Sequence, residues 1–208
     1  YTAWCDDAGH VLDDGTLFRF DETRFRLCCQ ERHLPWLLDS AIGFDVAIRD
    51  VTEEVAGLSL QGPTSFAVLS AAGAAELADL KPFRMREVRL GPVGPVTVSR
   101  TGFTADLGYE LWVSPDRALE LWDHLMMSGR LHGIRPVGTE ALNIARIEAG
   151  FITANTDFVC AEHALRPDRA RQPDEIGLDW MVDLDKGPFN GRAAIRAARR
   201  DRTLKWAL

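Results

Sequence analysis

The stretch SRTGFTADLGYELWV, residues 99–113, reads as a strand, a polar loop with two glycines and a second strand. The second strand alternates with period 2. Tyr109, Leu111 and Val113 fall on one face, and Glu110 and Trp112 share the other. A carboxylate beside an indole, just past a turn, suits a flat, nitrogen-rich heterocycle such as a pterin. The carboxylate would accept two hydrogen bonds while the ring packs on the aromatic wall. A surface glutamate beside a half-buried tryptophan meets the same spacing, and the spacing alone favours that plainer reading.

Outward from this stretch, strands and helices alternate. Tyr1 to Cys5 and Thr16 to Phe20 read as strands around the turn Asp6-Asp7-Ala8-Gly9, and Arg24 to Cys28 as a third. His33 to Ile42 carries apolar residues at helical spacing. Asp45 to Arg49, Ala56 to Leu60, Glu87 to Leu90 and Val96 to Arg100 read as further strands. Pro63 opens a helix that runs towards Ala71. Asp116 to Met127 places Ala118, Leu121, Trp122, Leu125 and Met126 on one stripe, read as core. Val137 to Ala149 is a helix stopped by Gly150. Residues 158–175 read as a loop, Ile176 to Val182 as extended, and Gly191 to Arg200 as an arginine-rich helix. The mixture predicts an α+β fold with helices on one side of the sheet.

The 208 residues allow one large domain or two small ones. A hydrophobic fraction of 46% and a charged fraction of 26% are ordinary for a globular protein. With 24 basic against 31 acidic residues the net charge is -7, which argues against a nucleic-acid or anionic-membrane partner. No apolar run reaches the length of a membrane span, and the start lacks the regions of a signal peptide. Cys5, Cys28, Cys29 and Cys160 include no C-x-x-C pair, and the histidines are scattered, so no metal site is expected. A reducing interior is the expected setting: cytoplasmic, or the mitochondrial matrix in a eukaryote. The chain begins without methionine, and Thr203 to Leu208 looks like the start of a strand, so a fragment is expected.

Common catalytic motifs are absent: no G-x-S-x-G, no Walker A loop, no G-x-G-x-x-G. Gly91-Pro92-Val93-Gly94-Pro95 is a rigid turn, because its prolines remove the donors a phosphate would need. Asp13 and Asp14 are adjacent, so on an extended chain at most one faces a site. From the residues alone the pair reads as a solvated turn. Trp36, Trp122 and Trp180 read as core. Arg196, Arg199, Arg200 and Arg202 read as a solvated helix face, and Cys28 and Cys29 as plain strand residues.

Several segments in order resemble the aminomethyltransferase family, the glycine cleavage T-protein and its folate-dependent relatives. Gly9-His10-Val11-Leu12-Asp13-Asp14 resembles the family's G-G-x-[IL]-D-D. Leu58 to Pro63 resembles A-L-Q-G-P, and Ser99 to Leu111 is similar to T-R-T-G-Y-T-G-E-x-G-Y-E-[IL]. Arg146 to Gly150 matches R-[IL]-E-A-G. Gly177 to Trp180, then Leu184 to Lys186, Phe189 and Gly191, resemble G-L-G-W…L-D-K…F-x-G. The resemblance implies an α+β folate-binding fold with a ferredoxin-like element, truncated at both ends. It would span residues 1–202, and residues 203–208 would begin a C-terminal β-barrel.

It also implies roles. Tetrahydrofolate would be the cofactor and a small one-carbon donor the substrate. Glu110 would hold the pterin ring. Trp112, Asp14, Phe103 and Arg146 would border the cofactor. Asp13 would lie by the reacting nitrogens, orienting the acceptor and stabilising developing positive charge. A T-protein would take its aminomethyl group from the lipoyl arm of a carrier protein. The family's Y-T-G-E is here Phe103-Thr104-Ala105-Asp106, its arginine in G-x-x-A-R-D is Leu142, and its aromatic-glycine pair after Gly150 is Ala154-Asn155. The run Ala141-Leu142-Asn143…Arg146-Ile147-Glu148 leans towards relatives that demethylate methylated glycines, sulfonium compounds or aryl methyl ethers. A non-catalytic folate-binding module is the reading of another class. Retention of Asp13 and Asp14 argues for the enzyme. Arg146 has a structural alternative, pairing with Glu148 or Glu140.

Overall fold

The computed structural model describes residues 1–204. The chain divides into two compact units, residues 1–46 with 152–208, and residues 47–151.

The first unit carries a three-stranded antiparallel sheet in the order β1 (Thr2–Cys5), β2 (Val11–Arg19), β3 (Phe25–Cys29). The helices α1 (Leu34–Ser40) and α5 (Arg192–Asp201) belong to it, with several single 3-10 turns between. Its core gathers Val11, Phe158, Ile176, Leu178 and Ile195. The β1–β2 turn sits against the start of α5. Gly191 has φ +80°, and a Cβ there would come 2.6 Å from the Asp6 carbonyl oxygen and 2.7 Å from Gly9 Cα. Only glycine permits that approach.

The second unit holds a four-stranded antiparallel sheet in the order β4 (Ala56–Gln61), β7 (Gly108–Val113), β6 (Gly94–Ser99), β5 (Met85–Leu90). Val88, Leu90, Val96, Val98, Tyr109, Leu111 and Val113 point to one face. Helices α2 (Ser65–Ala71) and α3 (Ala118–Ser128) cover that face, with Val68, Leu69, Leu121 and Leu125 in the same core. Both helices lie on the same side of the sheet, as expected of the α+β arrangement. Helix α4 (Thr139–Glu148) ends with Gly150 at φ +77°, the left-handed stop expected of glycine.

Several sequence expectations differ. Residues 45–49 are irregular rather than a strand. Strand β2 starts at Val11, so Asp13 and Asp14 lie inside a strand, not in a turn. Residues 176–182 are not extended: Leu178 N–H returns to the Pro173 carbonyl at 2.9 Å and Asp179–Met181 forms a 3-10 turn. Trp122 and Trp180 are exposed rather than core, at 41% and 69%. On α3 the buried stripe narrows to Leu121 and Leu125, and Trp122 lies at its edge. Most of the segment expected to begin a β-barrel falls on residues 205–208, outside the described residues. Among the described residues no helix is long and apolar enough to cross a membrane.

Candidate functional site

The open face of the second unit's sheet is polar at its centre. Antiparallel pairing sets Glu110 opposite Ser59 on β4 and Ser99 on β6, and Trp112 opposite Gly57 and Thr97. Directly paired residues share a face. Glu110 is therefore flanked by hydroxyls, and Trp112 borders a strand position with no side chain.

A directed chain of hydrogen bonds ends on Glu110. The Thr101 hydroxyl donates to Glu110 Oε2. Ser99 Oγ lies 2.7 Å from Thr101 Oγ1. A hydroxyl has one proton, and that of Thr101 is committed to Glu110, so Ser99 is the donor in the second bond. The indole N–H of Trp112 then donates to Ser99 Oγ at 3.4 Å. Every donor along Trp112, Ser99 and Thr101 points towards the carboxylate, and such chains polarise one another. Glu110 Oε1 has no partner among the described residues and remains available to accept. Gln61 borders the same face: its amide donates to Ser59 Oγ at 3.0 Å and accepts from Thr104 at 3.2 Å.

The remaining candidates of this unit fall as follows. Phe103 is half-buried and stacks on Phe151, with centroids 5.1 Å apart and planes at 21°. Ala105 holds φ +56°, so the left-handed turn survives where the resembled motif has glycine. Arg146 is buried on α4 and donates from Nη1 to the Phe151 carbonyl at 3.1 Å. It thus ties the helix end to the aromatic pair.

The acidic pair belongs to the first unit. Asp13 is fully buried: its Oδ1 accepts the Asp14 N–H at 2.8 Å and its Oδ2 the Glu31 N–H at 3.2 Å. His33 Nε2 lies 3.2 Å from the same Oδ2, and His33 Nδ1 lies 3.1 Å from Glu162 Oε2. The Trp4 ring meets the His33 ring edge-on at 5.7 Å. Asp14 points the other way and is half-buried. The Tyr1 hydroxyl donates to its Oδ2. Burial holds the Asp14 carboxyl above the ordinary carboxylate range, against the lowering effect of the Tyr1 bond. The Tyr1 hydroxyl is likewise pushed up, by burial first and then by Asp14.

Sequence reasoning missed Ser99, Thr101 and Gln61 beside Glu110. Ser99 and Thr101 stand at i and i+2, a spacing that puts two hydroxyls on one side of an extended chain. It missed His33 and Glu162 because nothing local links residues 20 and 129 apart.

Residues 1–186 match the family described as the GCVT N-terminal domain. The chain is 36% identical over 207 residues to trimethylamine-oxide aldolase of Ruegeria pomeroyi, covering 94% of this chain and 25% of that protein. It is 30% identical over 200 residues to an aminomethyltransferase of Clostridium botulinum, covering 94% and 52%. The crystal structure of the glycine cleavage system aminomethyltransferase T from Bartonella henselae superposes with a TM-score of 0.74 at 26% identity, over 97% of this chain and 52% of that one. The chain thus spans about half the length of the aminomethyltransferases it matches and a quarter of the aldolase. With the ordered motifs and the one-sided sheet, these matches establish that the chain belongs to the aminomethyltransferase family, through its GCVT N-terminal domain.

Proposed function

We propose that this chain is the folate-binding part of a tetrahydrofolate-dependent one-carbon transferase that works in a reducing, cytoplasmic-type compartment. The observation that carries the reading is the Glu110 carboxylate, held at Oε2 by Thr101 with Oε1 left to accept. Two carboxylate oxygens match the two adjacent N–H donors of a pterin edge, so these residues fit the cofactor. Glu110 anchors that edge. Trp112 orients Glu110 through Ser99 and Thr101 and offers its ring beside it. Phe103, backed by Phe151, and Arg146, which fixes the Phe151 carbonyl, shape the neighbouring loop. Asp13 and Asp14 supply negative charge for the transfer step, and Asp13 takes up the proton that the acceptor nitrogen releases as it bonds the one-carbon group. When bound, tetrahydrofolate supplies the nucleophilic nitrogen that takes up the one-carbon group.

Two donors fit this chemistry. One is an aminomethyl group on the lipoyl arm of a carrier protein, the donor of the family's T-proteins. The other is a small methylated amine. Phe103, Leu142 and Asn155 stand where the T-protein motifs carry other residues. Trimethylamine-oxide aldolase, a relative at 36% identity, bears the name of a methylated-amine enzyme. Both features favour the second donor.

Titration calorimetry with tetrahydrofolate tests the reading. Wild-type protein binds, and Glu110→Ala loses about 1.5–3 kcal/mol, the worth of hydrogen bonds to a charged group. Equal affinity in the two proteins would remove the pterin-anchor role. Mass detection of the folate product with methylated amines, and with an aminomethylated lipoyl carrier, separates the two donors.

A further inference from the structure

We propose that His33 is a positioning residue that carries protons between the buried Asp13 carboxylate and solvent through Glu162. The inference rests on the role given above to Asp13 in one-carbon transfer.

The geometry is a three-group line in the first unit. Asp13 Oδ2 and His33 Nε2 are 3.2 Å apart, and His33 Nδ1 and Glu162 Oε2 are 3.1 Å apart. Exposure rises along it: the Asp13 side chain is 1% accessible, His33 2% and Glu162 59%. The line therefore starts in the interior and ends in water. The chain brings it together from three places: β2, the residue before α1, and the 3-10 turn Ala161–His163.

The partners of Asp13 single out His33. Its other two hydrogen bonds come from the backbone N–H groups of Asp14 and Glu31. A backbone amide can only donate, whereas an imidazole can accept a proton at one ring nitrogen while giving one up at the other. A carboxylate sealed from solvent that changes protonation during turnover needs such a route. The groups facing His33 are Asp13 from β2, Glu162 from the 3-10 turn and the edge of Trp4 from β1. Asp14 donates its N–H to Asp13 Oδ1 and accepts the Tyr1 hydroxyl at its own carboxylate. Cys160 and His163 flank Glu162, with Sγ and Nδ1 3.2 Å apart.

The outward step conserves protons and charge. Protonated Asp13 passes its proton from Oδ2 to Nε2 of the neutral imidazole. Nδ1 gives its own proton to Oε2 of ionised Glu162, which releases it to water. Asp13 ends as carboxylate, and His33 ends neutral in its other tautomer. The inward step is the reverse.

The test is proton exchange at the His33 ring, read by NMR in the intact protein labelled with nitrogen-15 histidine. Glu162 is exposed, so Glu162→Gln leaves the thermal midpoint unchanged. It slows exchange of the His33 ring protons with solvent about tenfold and lowers turnover similarly, a fraction of what positioned proton transfer supplies. Glu162→Asp, which keeps the carboxylate, restores much of both. Wild-type exchange in Glu162→Gln overturns the relay. If Asp13→Asn abolishes turnover while Glu162→Gln exchanges and turns over normally, the relay fails and the role of Asp13 stands. If Asp13→Asn retains full turnover, the role of Asp13 itself fails.

Discussion

The indole of Trp112 occupies the space that a side chain on Gly57 would need. A Cβ built on Gly57 would lie 2.8 Å from ring atom Cζ3 and 3.0 Å from Cε3. Gly57 and Trp112 are direct cross-strand partners, so the missing side chain on β4 is the cavity into which β7 places its ring. The ring held there donates its N–H to Ser99 and heads the chain of donors that ends on Glu110.

Gly57→Val should therefore displace the indole. Overpacking at such a contact costs about 1–3 kcal/mol. The denaturation midpoint should fall and the tryptophan emission should change. Retention of both the midpoint and the wild-type emission would show that the ring does not depend on this gap.

Thr101 tests the orientation of Glu110 without touching the carboxylate. Thr101→Val keeps the shape and removes the hydroxyl, and tetrahydrofolate affinity should fall about 10-fold or more, as for a lost bond to a charged group. Thr101→Ser restores the donor and should bind close to wild type. Titration calorimetry compares the three proteins, and equal weakening in both variants would point to packing instead of the hydroxyl.

Ala105 sits at φ +56°, where an L-residue with a Cβ is strained by about 1 kcal/mol. Ala105→Gly relieves the strain and gives back part of it as unfolded-chain entropy. The net expectation is a stabilisation of about 0.5 kcal/mol, read from urea melts. A clear loss of stability would mean that the methyl group makes contacts worth more than the strain.

Asp14 makes stability depend on pH in a stated direction. Its folded value is raised above the ordinary 3.8 by burial. The folded state then binds more protons than the unfolded one between those two values, so stability falls as pH rises through that window. The contribution is fully present below about 3.8 and lost above the raised value. Asp14→Asn should flatten this slope in urea melts taken on either side of the window, while a wild-type slope in the variant would assign the effect elsewhere.

The cysteines should react in an order set by burial. Burial pushes the Cys5 thiol up to about 12, and Cys160 is fully buried, whereas Cys29 is exposed. Thiolate is the reactive form. Iodoacetamide should modify Cys29 in the native protein and reach Cys5 and Cys160 only on unfolding, as mass mapping of the modified peptides would show.

Much of the fold was legible because neighbouring residues carry the signal. The alternation over residues 109–113 placed Glu110 and Trp112 on one face and Tyr109, Leu111 and Val113 on the other. Gly150 and the apolar spacing of residues 118–126 marked helices correctly. The failures have a common cause. Asp45 to Arg49 has strand-like composition but finds no partner strand among the described residues, so it stays irregular. Residues 176–182 alternate, yet Gly177 turns left-handed at φ +71° and the chain folds back on Pro173. The stripe on α3 named Trp122 as core, but two leucines already fill the contact.

Motifs in order along the chain identify the family, and a period of two sets the side of the sheet on which Glu110 stands. Both are local properties, written within a few residues of each other. That Thr101, Ser99 and Trp112 join up with Glu110, and that His33 links a buried Asp13 to an exposed Glu162, is visible in the folded chain alone. Those contacts depend on strand register and on chain segments up to 129 residues apart, and no periodicity along the chain encodes a distance across it.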